Sequence, residues 1–220
     1  MYMDSKQYWD DKILVWEDSQ KQPGRAPLVE RLATRFRGPL VERTRLAFEA
    51  LDPFVRGKTV LEVGCGSGYI ALELAAKLAP ARIIGTDFSA RAIERASKMA
   101  EEKGLADQVT FQQSDAISAA GTEADLTLGL GLLDYLSGED LTRLFASMKS
   151  PYFLFSFAER VPTLRRLLHV LYLKSQHCPK HFYYTEAEMR SFIGDRFGQV
   201  HFVRTRPLSF GCMVHNLPCA

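Results

Sequence analysis

Short, continuous apolar runs alternate along this chain with longer segments whose apolar residues recur every three or four positions. The runs are Thr59–Val63, Arg82–Asp87, 109–111, 125–130 and 152–157. They lack the apolar/polar alternation of a half-exposed strand, so each is predicted to be a strand buried on both faces. Between them lie predicted helices. Tyr69 to Ala79 is one. Ser89 caps a second that runs to Lys103 and stops at Gly104, and Ser137-Gly138-Glu139-Asp140 opens a third. This rhythm predicts a parallel sheet with helices on both faces. Beyond Phe157 the texture loosens. Residues 160–174 read as one amphipathic helix with Val161, Leu164, Leu168 and Leu171 on a single face. Thr185-Glu186-Ala187-Glu188 is a capping-box pattern for a helix to about Ile193. Two strands follow, 200–205 and 210–216, with Pro207 in the turn. They predict a mixed sheet whose last strand is antiparallel.

The first 57 residues read as a helical cap. Trp9, Ile13 and Trp16 share one face of a predicted helix over 5–18. Gln22-Pro23-Gly24 and Ala26-Pro27 break it, and a second helical region runs from about Leu28 to Leu51, interrupted at Gly38-Pro39 and ended by Pro53. Tyr8, Trp9 and Trp16 are placed to seal a site beneath them or to serve as ordinary packing. The main domain is expected over 58–220, with an insertion at about 158–184.

Composition narrows the field. The 220 residues are 46% hydrophobic, enough for one well-packed domain with a small cap. The net charge of +2 is too mild to argue for a nucleic-acid partner. Cys65, Cys178, Cys212 and Cys219 form no disulfide framework, which points to a reducing compartment. Met1 to Gln20 lacks the apolar core of a signal peptide, and no run reaches the ~18 apolar residues of a membrane span. A cytoplasmic location is expected.

The chemistry gathers at the ends of the predicted strands. Gly64-Cys65-Gly66-Ser67-Gly68 follows the first strand and opens a helix. Its spacing is G-x-G-x-G rather than the G-x-G-x-x-G of dinucleotide sites, because residue 69 is Tyr, and this disfavours a nicotinamide-dependent oxidoreductase. Glu62 lies two residues before the loop. Asp87 ends the second strand, where a carboxylate can accept from both ribose hydroxyls or merely cap the next helix. Ser114-Asp115-Ala116 follows the third strand, where Asp115 can accept from an adenine amino group or serve as a turn residue.

With these residues in order, 58–157 resembles the core of the class I S-adenosylmethionine (SAM)-dependent methyltransferases. The resemblance implies a Rossmann-like three-layer α/β sandwich with seven strands, the last antiparallel. It implies SAM as cofactor and S-adenosylhomocysteine as product. It puts the loop residues Gly64, Cys65, Gly66 and Gly68 under the methionine moiety and Glu62 near its amino group. Asp87 and Phe88 fall at the ribose, Ser114, Asp115 and Ala116 near adenine, and Leu130 and Gly131 beside the sulfonium.

Acceptor chemistry is expected after the fourth strand, in Leu130-Gly131-Leu132-Leu133-Asp134-Tyr135. Asp134 and Tyr135 are candidates to orient or deprotonate an acceptor, with His181 a third candidate catalytic residue. The loop lacks the Asn/Asp-Pro-Pro-Tyr/Phe pattern that similar enzymes use on DNA bases. The 158–184 insertion carries Arg160, Arg165, Arg166, Lys174 and Lys180 with His169, His177 and His181. That composition reads as a pocket for an anionic acceptor or as a solvated basic face. In His177-Cys178-Pro179-Lys180-His181, Pro179 opposes a regular helix that would bring the histidines together, and no metal is expected. His181 to Met189 is similar to the C-terminal part of the Mg-protoporphyrin O-methyltransferases. The expected function is methyl transfer to an oxygen, less readily a nitrogen, of a small-molecule acceptor. An RNA or protein acceptor, and a non-catalytic partner subunit, are the alternatives.

Overall fold

The computed structural model describes residues 38–175 and 181–218. The predicted helix over 5–18, the residues Tyr8, Trp9 and Trp16, and the His177-Cys178-Pro179-Lys180 stretch lie outside the described residues. In chain order the elements are α1 (Gly38–Leu51), β1 (Thr59–Val63), α2 (Tyr69–Leu78), β2 (Arg82–Asp87), α3 (Ala90–Glu102), β3 (Val109–Gln113), α4 (Ala116–Ala120), β4 (Leu126–Leu130), α5 (Gly138–Ser147), β5 (Tyr152–Ala158), α6 (Leu164–Ser175), α7 (Glu186–Ile193), β6 (His201–Val203) and β7 (Gly211–His215). Single 3-10 turns sit at Leu133–Tyr135 and Asp195–Phe197.

The strands form one seven-stranded sheet in the order β3-β2-β1-β4-β5-β7-β6. β1 lies between β2 and β4, parallel to both, with Glu62 opposite Gly85 on one side and Leu128 on the other. β7 is antiparallel to β5 and to β6. This is the expected α/β sandwich with an antiparallel last strand. Strand residues alternate between two cores, as a pleated sheet requires. Val60, Ile83, Val109, Leu126, Leu128 and Leu154 pack with Ala47 and Leu51 of α1 and the apolar face of α2. On the opposite face, Phe153, Phe155 and Phe157 pack with Leu141, Leu144 and Phe145 of α5 and Met189 and Ile193 of α7. Phe145 meets Phe153 and Phe155 edge-on at centroid distances of 5.5 and 5.7 Å.

The caps form as the sequence predicts. Ser89 accepts from the Ala92 amide, and Ser137 and Thr185 each close a capping box, with Asp140 and Glu188. Three features depart from the expected pattern. The helix predicted from residue 160 starts only at Leu164, because Glu159 bridges to Tyr184 and the Arg160 amide donates to the Tyr184 carbonyl, holding that stretch extended. The strand predicted to Thr205 ends at Val203, where Arg204 turns to pair with Glu159 and Glu186. An amphipathic helix ordinarily buries its apolar stripe. On α6, Leu168 and Leu171 are exposed, and the half-buried side carries His169.

Phe145→Ala is expected to destabilise the protein by about 3–5 kcal/mol, since it empties a buried aromatic site. Leu171→Ala, at an exposed position, should change stability by less than about 0.5 kcal/mol. Urea unfolding followed by circular dichroism checks both.

Candidate active site

The carboxyl ends of β1, β2, β3 and β4 meet along one edge of the sheet, the crevice where open α/β sheets take ligands. The glycine loop closes its floor. Gly64, Gly66 and Gly68 all have positive φ, so the chain reverses from β1 into α2 within five residues. At Gly68, with φ +76°, a Cβ would both strain the backbone and meet the Phe111 ring, which would have to shift. The Gly64 and Cys65 amides both donate to the Thr86 carbonyl, at 2.8 and 3.0 Å. Cys65 is buried, as a small residue within the turn.

Asp87 ties loop to sheet. Its Oδ2 accepts from the Gly66 amide at 3.0 Å and its Oδ1 from the Ser89 amide at 3.0 Å. Each carboxylate oxygen has a further lone pair, so the side chain keeps acceptor capacity toward hydroxyls. Phe88 follows it, half-buried, its carbonyl accepting from Gln113. Asp115 is exposed and caps α4, accepting from the Ile117 and Ser118 amides at 3.1 and 3.0 Å. Ser114 and Ala116 flank it, both half-buried.

Glu62 is 2% exposed and its Oε2 has no hydrogen-bond partner. Burial pushes its carboxyl up to about 8 and the nearby Asp87 charge adds to this, while the Ala71 amide opposes it. A buried, half-satisfied carboxyl is costly unless a ligand completes it.

A second unsatisfied charge stands at the end of β4. Gly131 has φ +82° and donates to Ser156 Oγ at 2.9 Å. A Cβ there would lie 2.6 Å from a terminal nitrogen of Arg43. Arg43 reaches this point from α1. Its Nε is buried without a partner, and burial lowers its pKa despite the nearby charge of Asp134. Sequence reasoning missed Arg43: one cation on a helix gives no local signal of what lies beneath it. Leu130 and Leu132 complete this end, with Leu132 against Gly64.

Asp134, Tyr135 and His181 do come together. Asp134 Oδ1 accepts from the Ala158 amide at 2.5 Å, and its backbone carbonyl accepts from the Phe182 amide. This side chain therefore also fastens the 3-10 turn to β5. Its Oδ2 faces His181 Nε2 at 3.8 Å, too far for a hydrogen bond. Tyr135 meets the His181 ring edge-on at 5.3 Å. Burial raises the Asp134 carboxyl to about 6, with the Ala158 amide and Arg43 opposing. Burial lowers His181 to about 3, helped by His169, and lowers His169 to about 4. His181 Nδ1 is buried without a partner. Near neutral pH the arrangement is an ionised carboxylate beside a neutral imidazole, under a wall of Tyr183, His169 and Phe210. Of the five predicted basic residues, Arg160 is held by Glu188 and the Tyr183 carbonyl, and Arg166 lies over the Tyr183 ring.

Residues 54–137 match the family model described as a methyltransferase domain. The chain is 39% identical over 80 residues to the release factor glutamine methyltransferase of Chlorobaculum tepidum, covering 36% of this chain and 27% of that one. It is 43% identical over 67 residues to the ribosomal protein L11 methyltransferase of Aeromonas hydrophila, covering 30% and 23%. The chain thus spans about a quarter of the length of these curated relatives. Among solved structures, the magnesium protoporphyrin IX methyltransferase of Synechocystis PCC 6803 with bound SAH superposes with a TM-score of 0.68 at 20% identity, over 96% of each chain. That likeness is one of fold.

The raised Glu62 carboxyl has a signature in the ligand-free protein. Its folded pKa of about 8 exceeds the ordinary 4.5, so the folded state holds the extra proton. Its contribution to stability therefore declines as pH rises from about 4.5 to about 8. Glu62→Gln removes the ionisation, and its melting temperature should gain on the wild type progressively between pH 5 and pH 8. A gap that stays constant with pH would contradict a protonated Glu62.

Proposed function

We propose that the protein transfers a methyl group from SAM to an oxygen of a small-molecule acceptor, a reading supported by the match of residues 54–137 to a methyltransferase-domain model and by the likeness of fold to a methyltransferase. The observation that carries the proposal is a pair of buried groups, each with an unpartnered polar atom, the Glu62 carboxyl at the end of β1 and the Arg43 guanidinium at the end of the adjacent β4. They match a zwitterion: Glu62 takes an ammonium and Arg43 a carboxylate, as the amino-acid end of the cofactor requires. Gly64, Cys65, Gly66 and Gly68 hold that end from below, and Leu130 and Gly131 flank it. Asp87 serves the ribose hydroxyls, and Phe88, Ser114, Asp115 and Ala116 border the base. The chemistry such a cofactor supplies when bound is an electrophilic methyl on a sulfonium.

The chain's own task is then positioning and proton removal. Asp134 Oδ2 is the proton acceptor for the attacking hydroxyl. A carboxylate raised to about 6 is ionised yet basic enough near neutral pH. His181, neutral at that pH, orients the hydroxyl, and the Tyr135, His169, Tyr183 and Phe210 rings keep water out. A small acceptor is favoured by the mild net charge and by the fold likeness along the whole chain to a methyltransferase named for a small molecule. The polypeptide-modifying relatives align over no more than half of the chain.

Calorimetric titration of SAM and of its demethylated product should give saturable 1:1 binding. Asp87→Ala and Arg43→Met should each weaken it by about tenfold or more, the loss of one charge-assisted contact. No heat on folded protein would sink the proposal. Labelled methyl incorporation from an extract should appear in the small-molecule fraction. It should rise with pH through about 6. In Asp134→Asn it should fall by about a hundredfold or more, while cofactor affinity holds. Label in the protein or RNA fraction instead would replace the small-molecule acceptor.

A further inference from the structure

Helix α6 presents its apolar side to solvent. Leu167, Leu168 and Leu171 are 56%, 44% and 54% exposed, the first two adjacent and the third one helical turn further on. The opposite side is committed inward. His169 Nδ1 lies 2.9 Å from the Tyr183 hydroxyl and its ring packs on Phe210 at 4.9 Å, and the Arg166 guanidinium lies over Tyr183. Those contacts fix the rotation of the helix, so the leucines cannot turn in without uncovering His169. Leucines clustered on an exposed helix face mark a surface made to be covered.

The charge of the surrounding chain says by what. Residues 160–180 contain Arg160, Arg165, Arg166, Lys174 and Lys180 and not one Asp or Glu, in a protein whose net charge is only +2. Arg160 is neutralised by Glu188 and Arg166 lies over Tyr183, leaving three further cations in the sequence of this segment, Arg165, Lys174 and Lys180. Leucines on one side of a short helix within an acid-free basic segment are the composition of a helix that lies in the plane of a membrane surface. Three half-exposed leucines offer far less than the roughly 800 Å² per partner that a stable protein–protein interface buries. Lipid makes no such demand for shape. No helix among the described residues is long and apolar enough to cross a bilayer, so any attachment through α6 is peripheral.

We infer that α6 is a lipid-docking helix: Leu167, Leu168 and Leu171 enter the interface of a bilayer rich in anionic headgroups, to which the acid-free, basic composition of the surrounding sequence draws them. Docking would hold the His169–His181–Tyr183 cluster, on the inner side of the same helix, close to the lipid. The inference rests on α6 alone and stands whether or not the methyl-transfer proposal holds.

The test is co-sedimentation of the full chain with vesicles of phosphatidylcholine, alone or mixed with phosphatidylglycerol. The wild type should pellet with the mixed vesicles, and about 0.5 M salt should release much of it. Leu167→Ser/Leu168→Ser/Leu171→Ser should lower the partition coefficient on the order of tenfold or more. Because all three positions are exposed, its melting temperature should match the wild type, which separates lost docking from lost folding. Val41→Ser removes an exposed apolar side chain elsewhere and should pellet like the wild type. Three results would each overturn the inference. One is wild type that stays in the supernatant with both vesicles. Another is a triple variant that pellets undiminished. The third is self-association of the wild type, abolished in the triple variant without any partition into vesicles, which would assign the face to a second copy of the chain.

Discussion

The placement of β1 between β2 and β4, parallel to both, is the constraint on which the rest of this molecule depends. The chain leaves β1 toward one side of the sheet and returns on the other, so the connections after β1 and β4 part at the carboxyl edge and leave a crevice. Both neighbours hold β1 by continuous parallel pairing, and both faces of the sheet are covered by apolar packing. The glycine loop, Asp87, Asp115 and Gly131 gain their common location from this order of strands. Without it they are scattered over seventy positions of sequence.

The crevice is built at a cost in stability. Glu62 is buried with an oxygen unsatisfied, and Arg43 brings a buried nitrogen without a partner to the neighbouring strand end. A protein selected only for stability would pair them or replace them with apolar residues. Here α1 brings the guanidinium to Gly131 while β1 holds the carboxyl just ahead of the loop, an arrangement that the amino-acid moiety of the proposed cofactor would satisfy. Gly131 makes this possible, since any side chain there would occupy the space of the guanidinium.

A different economy governs the other end of the site. Asp134 is anchored by the Ala158 amide, and the turn it starts is pinned again by Phe182 and by Tyr184, whose hydroxyl donates to the Leu136 carbonyl at 2.6 Å. The anchoring fixes where the remaining carboxylate oxygen points. The histidines around it are kept neutral by burial, so the carboxylate stands among neutral rings with the Arg43 guanidinium as its nearby countercharge. The same packing turns His169 inward and, by helical geometry, the leucines of α6 outward. The aromatic wall beside Asp134 and the exposed apolar face are two sides of one constraint.

Local patterns carried much of this into view. Continuous apolar strands, the Ser89, Ser137 and Thr185 caps, and the loop from Gly64 to Gly68 are interactions among near neighbours in sequence, so they are legible there. Glu62 and Asp87 were legible because strand ends precede turns. Asp134 and His181 were legible as residue types, though their mutual approach was not. The helix of 164–175 shows where periodicity stops: it reveals that an apolar stripe exists, but not which side meets the core. Arg43 gave no sign at all. What the sequence by itself determined was the elements, their order and the chemistry at their ends. Only the tertiary structure decided which distant groups share an environment. Burial, unpaired charge and the rotation of a helix are set by atoms far apart along the chain, and no local period encodes them.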